Sequence, residues 1–179
     1  MDELANSQAI SLQAKQAYEK GEFLEAARLF NQAAEILSTG GDEMGAAEQK
    51  NNRSVALFKA GDAQGALQAV QGTDGVFQQG GDVRRQAMAL GNLAAALEAG
   101  GKLKEALDYY QQSADLFKQV NEMELRTIAL KNLSALQLRM GRQFEAMASM
   151  DAALYPQKKM TWVEKILKKL LKVPLRMFH

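Results

Sequence analysis

The sequence predicts an all-α fold: a right-handed α-solenoid of four helical hairpins followed by a C-terminal amphipathic helix. Three observations carry that prediction. Gly21, Gly61, Gly101 and Gly141 recur at an interval of 40, and each is followed five residues later by an alanine, Ala26, Ala66, Ala106 and Ala146. Asn52, Asn92 and Asn132 keep the same register, as do the turns Gly40-Gly41-Asp42 and Gly80-Gly81-Asp82, with Asn121-Glu122 in the equivalent place one unit on. A period of this length marks a stacked repeat protein, in which each unit buries its apolar face only against its neighbours. Within a unit the apolar spacing is helical. Leu90, Leu93, Ala94 and Leu97 precede Gly101, and Ala106, Leu107, Tyr110, Ala114 and Phe117 follow it.

Taken in order, the paired helices are expected at about 6–19 and 23–38, 44–60 and 63–78, 83–99 and 103–120, and 123–139 and 143–154. They make up a repeat domain over residues 1–156, with units at about 3–42, 43–82, 83–122 and 123–156. The glycine between the two helices of a unit ends the first helix cheaply in the left-handed conformation. The alanine after it is small enough for close helix–helix approach. Only Pro156 and Pro174 occur, and neither interrupts a repeat helix. The second unit is the soft one, because its second helix contains Gly65, Gly72 and Gly75. Each interior glycine costs about 0.5–1 kcal/mol relative to alanine. Either that helix is kinked or frayed, or its small residues admit a close neighbour. The late methionines Met123, Met140, Met147 and Met150 read first as core fillers.

Composition narrows the function classes. There is no cysteine, and the single histidine is His179. A disulfide framework, a thiol nucleophile and a Cys/His zinc site are therefore ruled out, and any imidazole base would have to come from the chain end. Gly100-Gly101-Lys102 lacks the rest of a phosphate-binding loop, and the carboxylates are scattered over helix surfaces. We expect no enzyme, no metal and no cofactor. The acidic start, Met1-Asp2-Glu3-Leu4, does not read as a signal peptide, and no segment approaches the roughly 20 apolar residues of a membrane span. The expected location is cytoplasmic, with peripheral membrane attachment open.

The runs Ala26-Ala27-Arg28-Leu29-Phe30-Asn31-Gln32-Ala33 and Gly101 to Tyr110 resemble the second helix of tetratricopeptide repeats (TPR), with a small residue opening the helix and an aromatic one turn later. The period of 40, the Asn-Leu pairs Asn92-Leu93 and Asn132-Leu133, and the Gly-Asp turns are similar to the long-helix subgroup of kinesin light chains and Leu-Gly-Asn-repeat adaptors. The first two units depart from that pattern, with Leu12-Gln13 and Asn52-Arg53. The resemblance covers about residues 6–155. It implies that the first helices line an inner groove that binds a protein or peptide ligand. On that reading Asn52, Asn92 and Asn132 would meet a bound peptide's main chain, while Asn51, Lys59, Lys131 and Arg139 would add donors suited to carboxylates. Two other uses stay open: asparagines that bond the neighbouring helix, and charges that only solvate a face.

Residues 157–179 differ in character. Seven Lys or Arg stand there against the one carboxylate Glu164, a net +6 within a chain total of +1, which leaves −5 on residues 1–156. Thr161 and Glu164 form a capping box, and Trp162, Val163, Ile166, Leu167, Leu170 and Leu171 make an apolar stripe opposite Lys165, Lys168, Lys169 and Lys172. Such a helix suits a cap on the last repeat, an anionic membrane surface, or a docking partner. Nucleic acid is the least favoured of these. The functional expectation is a non-enzymatic adaptor that binds a peptide or partner helix in its groove. The alternatives are a peripheral membrane scaffold recruited through the basic helix and a module that self-associates end to end.

Overall fold

The computed structural model describes residues 2–154, and the segment carrying the basic stripe from Trp162 to Lys172 lies outside them. Nine helices occur among the described residues: α1 (Asp2–Glu19), α2 (Phe23–Thr39), α3 (Glu43–Lys59), α4 (Ala63–Val70), α5 (Thr73–Gln79), α6 (Val83–Ala99), α7 (Leu103–Gln119), α8 (Met123–Arg139) and α9 (Gln143–Leu154). The hairpin partners pack on one another in sequence order, and α3 and α4 also touch α6, so the hairpins stack as the period requires. No strand is present among the described residues.

The underlying beat is 20 residues rather than 40. At the end of every helix layer a backbone N–H reaches back five residues, from Glu22 to Ala17, Asp42 to Leu37, Asp62 to Leu57, Asp82 to Phe77, Lys102 to Leu97, Glu122 to Phe117 and Arg142 to Gln137, at 2.8–2.9 Å. This bond caps free carbonyls and forces the preceding residue into the left-handed region. Glycine fills that position everywhere except Asn121, at φ 59°, the one non-glycine with positive φ among the described residues. Asparagine is the side chain best able to substitute there.

Small residues set the spacing inside each hairpin at two levels. At the crossing near the turn, Ser54 Oγ donates to the Ala66 carbonyl and Ser134 Oγ to the Ala146 carbonyl, both at 2.8 Å. Ala14 with Ala26 and Ala94 with Ala106 hold the same register in the other two units, and all of these residues are buried. At the open end, Ser113 Oγ donates to the Ala87 carbonyl at 2.7 Å and Thr127 Oγ1 to the Ala153 carbonyl at 3.2 Å. A buried hydroxyl is tolerated because the facing helix supplies its acceptor.

The second unit departs from a continuous helix over 63–78. Helix α4 stops at Val70, Gln71 is extended at ψ 125°, Gly72 takes φ 81°, and α5 begins at Thr73. None of Gly65, Gly72 and Gly75 would bring a Cβ against another helix, so the glycines mark a break rather than a close approach. The Thr73 hydroxyl turns to the Val70 carbonyl at 2.8 Å and helps close the gap. The restart places Phe77 fully buried beside Ala47 and Ala89, with the Arg85 guanidinium 5.3 Å above its ring. The methionine expectation is also corrected in part. Met140 packs on the core around Leu133 and Leu136, but Met147 is exposed.

Candidate functional site

The first helices α3, α6 and α8 carry the predicted groove residues, and the structure divides them into two groups. Asn92 Nδ2 donates to Asn51 Oδ1 at 2.9 Å, tying α6 to α3. Asn51 is buried and Asn92 half-buried, so this pair is committed to joining consecutive units. Arg139 is likewise engaged, with its guanidinium on the Glu98 carboxylate of α6. By contrast Lys59, Lys131 and Asn132 are exposed, and Asn52 is half-buried. The forty-residue asparagine register therefore does not give one repeated environment. Successive units carry different neighbours, so Asn92 meets Asn51 while Asn132 meets solvent.

The residue pattern did not single out several polar links between helices, within and between units. Arg85 Nη1 donates to Glu48 at 3.0 Å across α6 and α3, while its Nε donates to Asp82 at 2.7 Å. Arg84 donates to Glu122 at 2.7 Å, and Tyr110 Oη donates to Glu98 at 3.1 Å. Burial first, and then the Glu98 charge, push the Tyr110 hydroxyl well above its ordinary range, so it stays a neutral donor. Asp82 caps α6 by accepting the Arg85 N–H at 2.8 Å. That backbone bond, followed by the Arg85 side chain, holds the Asp82 carboxyl below its ordinary value.

A depressed folded-state value stabilises the protein above the unfolded value and loses that contribution as pH falls through the folded one. The unfolded reference is 3.8. The melting-point gap between the parent chain and Asp82→Asn is therefore expected to be full at neutral pH and to shrink below about pH 4. A gap that stays constant down to pH 3 would rule out this contribution.

Between α1 and α3 the links of the α3–α6 pair are missing. Gly45 stands in the register of Arg85, and Gln8 in that of Glu48. The result is an open cleft of about 370 Å³, lined among others by Ser7, Ser11, Leu12, Lys15, Glu48 and Gln49. Gln49 occupies the position held by Ala9, Ala89 and Ala129 in the other units. It is only 8% exposed, and its side-chain carbonyl Oε1 has no hydrogen-bond partner. A buried unsatisfied carbonyl costs roughly 1–3 kcal/mol, so an amide at this position is a liability to the fold on its own. The signal was visible in the sequence as one polar residue in an alanine column. Only the open cleft beside it gives it meaning.

Among the described residues, no group of three or more acidic or histidine side chains is placed to hold a metal ion, and no helix is long and apolar enough to cross a membrane.

Comparison with known proteins agrees with the geometry. The model of the family described as Soluble NSF attachment protein, SNAP, matches residues 5–153. The fold is similar to the crystal structure of the Podosopora anserina putative kinesin light chain nearly identical TPR-like repeats, with a TM-score of 0.74 and 15% identity over 90% of this chain and 80% of that one. A singly substituted form of the same repeats gives 0.75 and 16%, over 88% and 77%. MamA 41-end from Desulfovibrio magneticus RS-1 gives 0.51 and 15%, over 89% and 99%. At these identities the likeness establishes the fold, which is a TPR-type helical solenoid. No curated protein sequence matches the chain.

Proposed function

The chain belongs to the family described as Soluble NSF attachment protein, SNAP, and from that premise we propose a non-enzymatic scaffold that binds an extended peptide or partner helix across its first helices, anchored in the α1–α3 cleft. TPR-type repeats are protein-interaction folds, which makes a protein the expected class of partner. The observation that carries the reading is the unpartnered Gln49 Oε1 beside an open cleft that Gln49 itself lines. A turn of the Gln49 side chain into the cleft would offer this otherwise shielded acceptor to a main-chain N–H, with Ser11 along the same cleft and the exposed Leu12 offering apolar contact. Asn52, Lys131 and Asn132 extend the same helix layer with groups able to meet a peptide's carbonyls and carboxylates.

Gln49→Ala separates binding from stability. It installs the residue that the other three units already carry and removes a buried, unsatisfied carbonyl, so the melting point should hold or rise. Affinity for a partner captured from native lysate by the full chain should fall about 2- to 10-fold, the worth of one hydrogen bond. NSF, the protein that the family description names, serves as the first purified bait. Unchanged affinity in the folded Gln49→Ala variant, with Asn52→Ala and Asn132→Ala equally silent, would sink the groove reading.

A further inference from the structure

The last described helix exposes a face that the first and third units cover. In α7, Leu107 is 6% and Ala114 0% exposed, and in α2 the equivalent Ala27 and Ala34 are 4% and 2%. These positions are covered by the next unit's first helix: Leu107, Tyr110 and Ala114 share a core with Leu130 and Leu133 of α8, and Ala27 and Phe30 share one with Ala56 and Leu57 of α3. In α9 the same two positions are Met147 and Leu154, at 68% and 57%. Apolar side chains of this size at an inter-unit position require an occupant, since solenoids need their ends covered.

The sequence supplies one in register. Forty residues on from α8, Val163 stands in the place of Val83 and Met123, Leu170 in that of Leu90 and Leu130, and Val173 in that of Leu93 and Leu133. Leu90 and Leu130 are 3% and 4% exposed. Pro174 falls in the column of Ala14, Ser54, Ala94 and Ser134. A helix continued through it would lose a hydrogen bond and clash with the preceding turn, so the docked element ends at Val173. The connection from α9 keeps the residue count of the other units but not their turn chemistry: Pro156 stands in the column of Ile36, Val76 and Leu116, and Thr161 in the left-handed column that glycine or Asn121 fills elsewhere, so this linker needs a turn of its own. Lys165, Lys168 and Lys172 lie off the Val163–Leu170–Val173 line. Lys169 stands where Ala89 and Ala129 are buried, and its stem must run to the helix edge to keep the charge in water.

We propose that residues 163–173 dock on the Met147–Leu154 face of α9 within the same chain, as the first helix of a fifth half-repeat. The proposal does not depend on the groove reading. Its test is hydrogen exchange on the full chain without lipid, at a dilution where light scattering gives a monomer. Amides of residues 166–173 should exchange roughly tenfold or more slowly than in the Met147→Asp/Leu154→Asp variant. Both substituted side chains are exposed in the described body, so α6–α8 should keep their protection in that variant. Lys169→Ala should strengthen protection of the segment, because it restores the alanine of the column. Free-peptide exchange in the parent chain would overturn the proposal. So would protection that appears only as the chain self-associates, which would assign the face to a second copy, or only with phosphatidylserine vesicles, which would assign the segment to a membrane surface.

Discussion

Phe77→Ala is expected to destabilise the protein by about 3–5 kcal/mol, the range for removing a fully buried aromatic side chain. Phe77 is the largest fully buried side chain among the described residues, and it packs on Ala47 and Ala89 with Met44 and Val76 alongside. Alanines cannot reach into the void, so the cavity would persist rather than collapse. The loss also removes the ring beneath Arg85, the residue that ties α6 to Glu48 of α3. At roughly 2–4 °C per kcal/mol for a chain of this size, the melting point should fall by about 6–20 °C. A loss under about 1 kcal/mol would mean that α5 is held by something other than Phe77.

Ala106→Leu should cost about 1–3 kcal/mol by overpacking the crossing of α6 and α7. Ala106 and Ala94 are both fully buried there, and carbon atoms added at a close-packed crossing force the neighbouring side chains to shift. Lys104→Leu, on the exposed side of α7, is the control and should leave the melting point within about 0.5 kcal/mol of the parent. Equal midpoints for Ala106→Leu and the control would show that the hairpin does not depend on a small residue at this level.

Much of this architecture was legible in the residues because a solenoid repeats its local chemistry. The glycine that ends the first helix, the alanine five residues later and the 40-residue ladders each report a backbone conformation or a spacing that few residue types satisfy. Asn121 follows the same logic, since the left-handed turn it occupies selects asparagine when glycine is absent. The three glycines of the second unit signalled a weak helix, but not where it would break or which neighbours they would meet. The break at Gln71-Gly72 is the arrangement that returns Phe77 to the core.

What the residues alone could not decide was which polar groups meet. Asn52, Asn92 and Asn132 share a column, yet Asn92 bonds Asn51 while Asn132 is exposed. Arg139 reads as a free donor and is held by Glu98. These pairings depend on how one unit is set against the next and on side chains forty residues away, which a periodic pattern averages out. The α1–α3 cleft has the same origin: Gly45 and Gln8 are inconspicuous until stacking sets them where Arg85 and Glu48 close the next gap. Local backbone chemistry, written in single residues, determined the repeat and its turns; the packing of one unit on another, a property of pairs distant in sequence, decided where the surface is closed and where it is left open.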